Sequence, residues 1–216
     1  MRIKIDPAVP DSSALEKAVA ALARGGVIIY PTETFYALGA DAANSHALEK
    51  VLALKRRRSG HSLPLIAAGP AQISPLLESK ETPQLYGEIT ARFWPGPLTL
   101  VLPARRGLAA ALLSPPAREG GCSGVALRVS SLPLASALAQ GLGRAVTSTS
   151  ANMTGQPACR DGREIDPILA AAADIFLDGG LCPGGPASTI VDLRLGPPFK
   201  ILRSGPIILP SSWICG

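Results

Sequence analysis

Apolar runs of four to six residues, repeated along the chain, set the first limit on its fold. They read VIIY, PLIAA, LTLVLP, VALRV, AVTST, ADIFL, STIVDL and FKILR. Runs this short, most of them β-branched or apolar on both faces, fit buried strands better than helices. Helical candidates lie between them, near residues 70–78, 82–93, 133–141 and 165–172. Ahead of them RIKID alternates as a short strand. DSSALEKAVAALARGG follows as a helix with Leu15, Ala18, Val19 and Leu22 on one apolar face. Ser13 and Glu16 have capping-box spacing, and Gly25 suits the left-handed position past the helix end. NSHALEKVLALKRR gives a second helix, capped by Asn44, with Leu48, Val51 and Leu52 inward. Strands mixed with helices predict an α/β layered fold built on a mixed β-sheet with flanking helices. No internal repeat or shift of composition divides the chain, so one domain over residues 1–216 is expected.

Composition narrows the functional classes. Hydrophobic residues make up 47% and charged residues 17%, which excludes a disordered chain. The apolar stretch LPLIAAGPAQISPLL is broken by Pro64, Pro70 and Pro75 and falls short of a membrane span. MRIKIDPAVP has no continuous apolar core of a signal peptide, so the default location is the cytoplasm. Cys122, Cys159, Cys182 and Cys215 are scattered, and the chain has only His46 and His61. That spacing offers neither a zinc site nor a disulfide framework, and no metal ligands are assigned. A net charge of +5 and a pI near 9.3 invite anionic partners. Aromatics at 4% leave little stacking surface for single-stranded RNA, so a small anionic ligand fits better.

Polar side chains collect where the apolar runs end. VIIY breaks at Pro31 into Thr32, Glu33, Thr34 and Tyr36, which reads as a pocket wall more than as a plain turn. LKRRRSGH places Lys55, Arg56, Arg57 and Arg58 at a helix end. They are either a solvated terminus suited to the helix dipole or a polyphosphate clamp. Arg128 interrupts the apolar run VALRV, and a cation there needs either an internal salt bridge or a ligand carboxylate. AVTSTSANMTG carries six hydroxyl or amide residues between Thr147 and Thr154, more than a helix cap requires. DGGLCPGGPASTIVDL has four glycines ahead of Ser188 and Thr189, a loop that could aim backbone N–H groups at phosphate. No GxSxG elbow or other nucleophile machine is visible. Cations, hydroxyls and amides without a nucleophile suit phosphoryl or nucleotidyl transfer, where the protein positions reactants and neutralises charge.

Taken together these segments resemble the YrdC family of threonylcarbamoyl-AMP synthases. YPTETFYALG is similar to its Y-P-T-[DE]-T-x-Y-G-L-G, LKRRR to its K-x-R, and FWPGPLTLVL to its P-G-P-x-T. VALRV is similar to its R-[IV] strand, TSANMTG to S-A-N-x-[ST]-G, GGPASTIVDL to S-T-[IV]-[IV]-D, and ILRSGPI to the closing R-x-G-x-I. The motifs occur in order from about residue 12 to 208. Ala37 stands where the family has Gly, and Arg58 where it often has Pro.

The resemblance implies a short, YrdC-like single domain in which a twisted mixed sheet and its helices surround a basic concave cavity. It implies formation of threonylcarbamoyl-AMP and pyrophosphate from L-threonine, bicarbonate and ATP, for threonylcarbamoyladenosine modification of tRNA. Carried over residue by residue, Thr34, Arg128, Ser148 and Ser188 would face threonine. Lys55, Arg57, Ser150, Asn152 and Arg203 would face ATP as substrate, with Lys55 and Arg57 carrying the transfer. Phosphoryl transfer generally recruits Mg2+, which is expected with the nucleotide, although no carboxylate cage is visible for it. The labile product implies a transfer-enzyme partner in the tRNA-modification pathway. Two other readings stay open. One is a carbamoyl-adenylate site of the hydrogenase-maturation type. The other is a non-catalytic module whose basic cavity binds RNA, weakly and with strong salt dependence.

Overall fold

The predicted strands and helices reappear in a computed structural model of the chain, which describes residues 1–56, 62–79 and 84–214. In chain order the elements are β1 (Arg2–Lys4), α1 (Ser12–Ala23), β2 (Ile28–Pro31), β3 (Tyr36–Gly39), α2 (Ser45–Leu54), β4 (Leu65–Ile66), α3 (Pro70–Ile73), α4 (Gln84–Phe93), β5 (Leu98–Pro103), β6 (Leu113–Ser114), β7 (Gly124–Arg128), α5 (Pro133–Leu142), β8 (Val146–Thr147), β9 (Thr149–Ser150), α6 (Pro167–Ala172), β10 (Ile175–Asp178), β11 (Thr189–Asp192) and β12 (Lys200–Arg203). None of these helices is long and apolar enough to cross a membrane.

The strands form two mixed sheets where the patterning predicts one. The first has the order β1-β10-β2-β3-β9, and the second β12-β11-β5-β7-β4-β8, with β6 also paired to β7. Both contain parallel and antiparallel neighbours. The division arises at AVTST, which reads as one strand but is two. β8 pairs with β4 in the second sheet, and β9 pairs with β3 in the first. Ser148 is the single residue between them, so the chain changes sheets there. The Thr147 hydroxyl fixes the crossing, donating to the Leu38 carbonyl at 2.9 Å and accepting from the Ala40 N–H at 2.9 Å. β3 was legible only as a pocket wall, because YALG is too short for its period to show. Gly39 in it is obligatory for another reason: a Cβ there would lie 2.8 Å from both Ile28 and Tyr30.

Burial separates the core into two clusters. One packs α1 and α5 against the first sheet, joining Ala18, Leu22, Leu138 and Ala139 to Ile28, Tyr30 and Leu177. The other fills the space around the second sheet and α2, with Leu48, Val51, Leu65, Leu100, Leu127 and Val191. The cap of α1 differs from expectation. Asp11, not Ser13, is the N-cap, and its carboxylate accepts from the Ala14 N–H at 2.9 Å. A carboxylate also complements the positive end of the helix dipole. Asn44 caps α2 as predicted, accepting from the Ala47 N–H at 3.0 Å.

Candidate active site

Alternation along the second sheet builds the site. Successive strand residues point to opposite faces. Leu98, Leu100 and Leu102 of β5, Val125 and Leu127 of β7, and Val191 of β11 face the core. Their neighbours Thr99, Val101, Ala126, Arg128 and Ile190, together with Ser188 just before β11, line a cavity of about 420 Å³. The β2–β3 connection, the Ser148 crossing and β12 close its other sides. The runs apolar on both faces therefore hide a functional face. Small residues on it, Thr99, Ala126 and Ser188, leave the volume open.

Thr34, Lys55, Arg128, Ser148, Ser150, Asn152, Ser188 and Arg203 all line this one cavity. Arg57, the remaining predicted site residue, lies outside the described residues, as do Arg58 and His61. Ala37, which replaces the family's Gly, is buried on β3 opposite Ser150 and also lines the cavity.

The TET segment is a tight turn organised by one hydroxyl. Thr32 Oγ1 donates to the Phe35 carbonyl at 2.8 Å and accepts from the N–H groups of Thr34 at 3.2 Å and Phe35 at 3.3 Å. Behind it the Cys182 thiol is pushed up to about 11 by burial. Arg128 makes the internal salt bridge and also lines the cavity. Its Nη1 donates to Glu33 Oε1 at 2.5 Å, and its Nη2 donates to Ser148 Oγ at 3.2 Å. The side chains of Arg128 and Glu33 are only 7% and 10% exposed, so each needs the other's charge. Deeper in, Tyr30 donates to the Thr147 carbonyl at 2.9 Å, and burial raises its pKa.

On the opposite side, Lys55 is 4% exposed and anchors the SANMT turn. Its ammonium donates to the carbonyls of Ser150 at 2.5 Å and Asn152 at 2.9 Å, and to Asn152 Oδ1 at 3.0 Å. Ser150 Oγ donates to the same Oδ1 at 2.6 Å. The Asn152 amide donates to the Gln156 carbonyl. Lys55, Ser150 and Asn152 are therefore one preorganised cluster, and Lys55 meets a phosphate only by exchanging one of these acceptors.

Arg203 belongs to a third group. Its Nε donates to the Ser188 carbonyl at 2.9 Å and its Nη2 to Ser188 Oγ at 2.8 Å, while Ser188 Oγ and Thr99 Oγ1 are 2.9 Å apart. Much of the Arg203 residue is exposed, yet partial burial of the guanidinium, and then the charge of Arg128, lowers its pKa. Two guanidinium groups thus share one cavity with one carboxylate partner, Glu33. Among the described residues Arg203 has no ion pair within 4 Å. Thr99, Ser130 and the pairing role of Glu33 were not assigned from sequence. Thr99 could have been found, because it is the Thr of the quoted PGPLT segment. Ser130 could not, since it acts only through a contact formed across 97 residues.

Comparison with known proteins places this geometry. The Sua5_yciO_yrdC family model, described as telomere recombination, matches residues 20–205. A protein of Photobacterium profundum named threonylcarbamoyl-AMP synthase is 37% identical over 165 residues, covering 76% of this chain and 86% of that one. The P. abyssi Sua5 structure complexed with L-threonine superposes with a TM-score of 0.84 at 29% identity. That match covers 95% of this chain and 57% of the Sua5 chain, so the chain spans little more than half of that protein. The E. coli YciO structure matches with a TM-score of 0.81 at 26% identity, covering 95% and 96% of the two chains.

Proposed function

Because this chain belongs to the Sua5/YciO/YrdC family, we propose that it joins L-threonine, bicarbonate and ATP into threonylcarbamoyl-AMP, releasing pyrophosphate, for threonylcarbamoyladenosine modification of tRNA. One observation carries the reading: a single cavity is lined by an arginine paired to a buried carboxylate behind the wall, a Lys-anchored hydroxyl and amide turn, and a second guanidinium. Neither the carbamoyl-adenylate reading nor the RNA-module reading is favoured by the relatives, which carry the synthase name at 34–39% identity.

The chemistry follows from charge. The threonine amine, once deprotonated, takes up bicarbonate carbon as a carbamate with loss of water. A carbamate oxygen attacks the α-phosphorus, and the bond to the β-phosphate oxygen breaks to release pyrophosphate. The threonine carboxylate, the carbamate and the triphosphate are all anionic, so their mutual repulsion is the main obstacle to be overcome. Arg128, with Thr34, Ser148 and Ser188, holds the threonine carboxylate and side chain. The Lys55–Ser150–Asn152 cluster and Arg57 hold the triphosphate, with Lys55 and Arg57 carrying the transfer. Arg203, tied to Ser188, also faces ATP. Mg2+ would be held by the triphosphate itself and would supply charge neutralisation there. The described residues contain no cluster of three or more His, Cys, Asp or Glu side chains to hold it, so no step is assigned to it.

The chain acts as one domain in the cytoplasm and hands its product to a transfer enzyme, with at most weak, salt-sensitive contact to RNA. The test is pyrophosphate release with each substrate omitted in turn. Release that needs both threonine and bicarbonate supports the proposal. Equal release without threonine points to carbamoyl-adenylate chemistry instead.

A further inference from the structure

We infer that Glu33 is the positioning residue of the amino-acid subsite: it acts through Arg128, aiming that guanidinium into the cavity for the substrate carboxylate. The inference rests on the synthase reading and adds to it a residue with no assigned role.

Glu33 does not itself line the cavity, whereas its neighbours Thr32 and Thr34 do, and so does Arg128. Both of its carboxylate oxygens point elsewhere. Oε1 accepts from Arg128 Nη1 at 2.5 Å, and Oε2 accepts from the Ser130 hydroxyl. Ser130 is itself fixed at the start of α5. Its Oγ accepts from the Leu132 N–H at 3.2 Å, and its carbonyl accepts from the Ser136 hydroxyl at 2.9 Å. At the other end Glu33 sits in the turn locked by Thr32. The carboxylate is therefore a strut with two rigid ends, and Arg128 hangs from it. With Nη1 on Glu33 and Nη2 on Ser148, the guanidinium plane is set by two contacts. The five N–H donors of a guanidinium exceed those two contacts and leave capacity for a ligand.

Charge neutralisation makes a second contribution. Partial burial, and then the charge of Arg128, lower the pKa of Arg203, so the two guanidinium groups feel each other across the cavity that both line. Glu33 offsets one of the two charges before any ligand arrives. It lets both cations stand in one site, and a zwitterionic amino acid then meets a nearly neutral Arg–carboxylate pair.

Removing the carboxylate has two opposed effects. Loss of its negative charge favours an anionic ligand at Arg128, and loss of the strut disfavours it. The strut dominates, because a misaimed charge-assisted hydrogen bond forfeits about ten- to a hundredfold in affinity. Glu33→Gln and Glu33→Asp separate the two. Gln keeps the reach without the charge, its carbonyl accepting from Arg128 and its amide donating to Ser130 Oγ, while Asp keeps the charge but is one methylene too short. Calorimetric titration of each variant with L-threonine and, separately, with ATP reads the result. Glu33→Gln should bind threonine within about threefold of the native protein, or tighter, and Glu33→Asp should lose about tenfold. ATP affinity should hold within about twofold in both, because the strut does not reach the Lys55 cluster. The reverse order, no effect of Asp, or equal loss of both ligands overturns the inference. A native protein that binds no threonine overturns the synthase reading, and this inference with it.

Discussion

Replacing Arg128 by Met should destabilise the protein sharply, and replacing Glu33 by Gln in the same chain should restore much of the loss. Met approximates the aliphatic stem of Arg128 but leaves the Glu33 carboxylate, 10% exposed, without its counter-charge. Breaking a buried pair from one side costs about 3–5 kcal/mol, because an uncompensated charge stays behind. Glu33→Gln alone keeps a hydrogen bond to Arg128 and costs less, about 1–3 kcal/mol. If the two losses were independent, the double variant would be down by about 4–8 kcal/mol, their simple sum. With both charges removed, it should instead be down by only about 1–3 kcal/mol, since replacing a whole buried pair is often nearly neutral. Urea denaturation of the four proteins gives the cycle directly, provided the slopes agree. Thermal melts should show the Arg128→Met single down by about 6–20 °C, at about 2–4 °C per kcal/mol for a chain of this size. Losses that add within about 0.5 kcal/mol would mean that the two side chains do not depend on each other. The salt-bridge account of the cavity wall would then be wrong.

Two further outcomes follow from other parts of the structure. Lys55→Met removes three charge-assisted hydrogen bonds from the turn, so it should cost about 2–4 kcal/mol of stability and weaken ATP by about tenfold or more. Unchanged ATP affinity, measured by nucleotide titration, would confine Lys55 to a structural role. Burial pushes the Asp178 pKa up, but hydrogen bonds from Lys4, the Gly180 N–H and Arg2 outweigh it and hold the group below its ordinary 3.8. A carboxylate with a depressed folded pKa stabilises fully above its unfolded value and loses that contribution as pH falls through the folded one. Asp178→Asn should therefore be less stable than the native protein near neutrality, with the gap closing below 3.8 in acid melts. A gap that persists at low pH would show that charge is not the cause.

Most of the architecture was legible because its elements announce themselves locally. Apolar runs ended by Gly and Pro marked β2, β5, β7, β10, β11 and β12. Asn44 marked a helix start through its side-chain acceptor, and Gly25 a helix end through its left-handed backbone. What escaped depends on partners distant in sequence. AVTST carries nothing local to say that it serves two sheets; the Thr147 hydroxyl bonds to Leu38 and Ala40 decide it. Clustered polar residues pointed to side chains that line one cavity, but not to the hydrogen bonds among them. Arg128 was visibly anomalous in an apolar strand, whereas its pairing with Glu33 spans 95 residues. Lys55 read as one of four cations at a helix end, either solvated or part of a polyphosphate clamp, and its burial against the SANMT turn became apparent only in three dimensions.

A cavity that joins three anions into one molecule must yield that molecule, so the decisive readout is the product itself. The protein is incubated with ATP, L-threonine and carbon-labelled bicarbonate, and the products are resolved by mass. A labile species containing one AMP, one threonine and one labelled carbon should form, with pyrophosphate in equal amount. AMP and pyrophosphate without a threonine-bearing product, or a labelled adenylate lacking threonine, would contradict the proposed reaction.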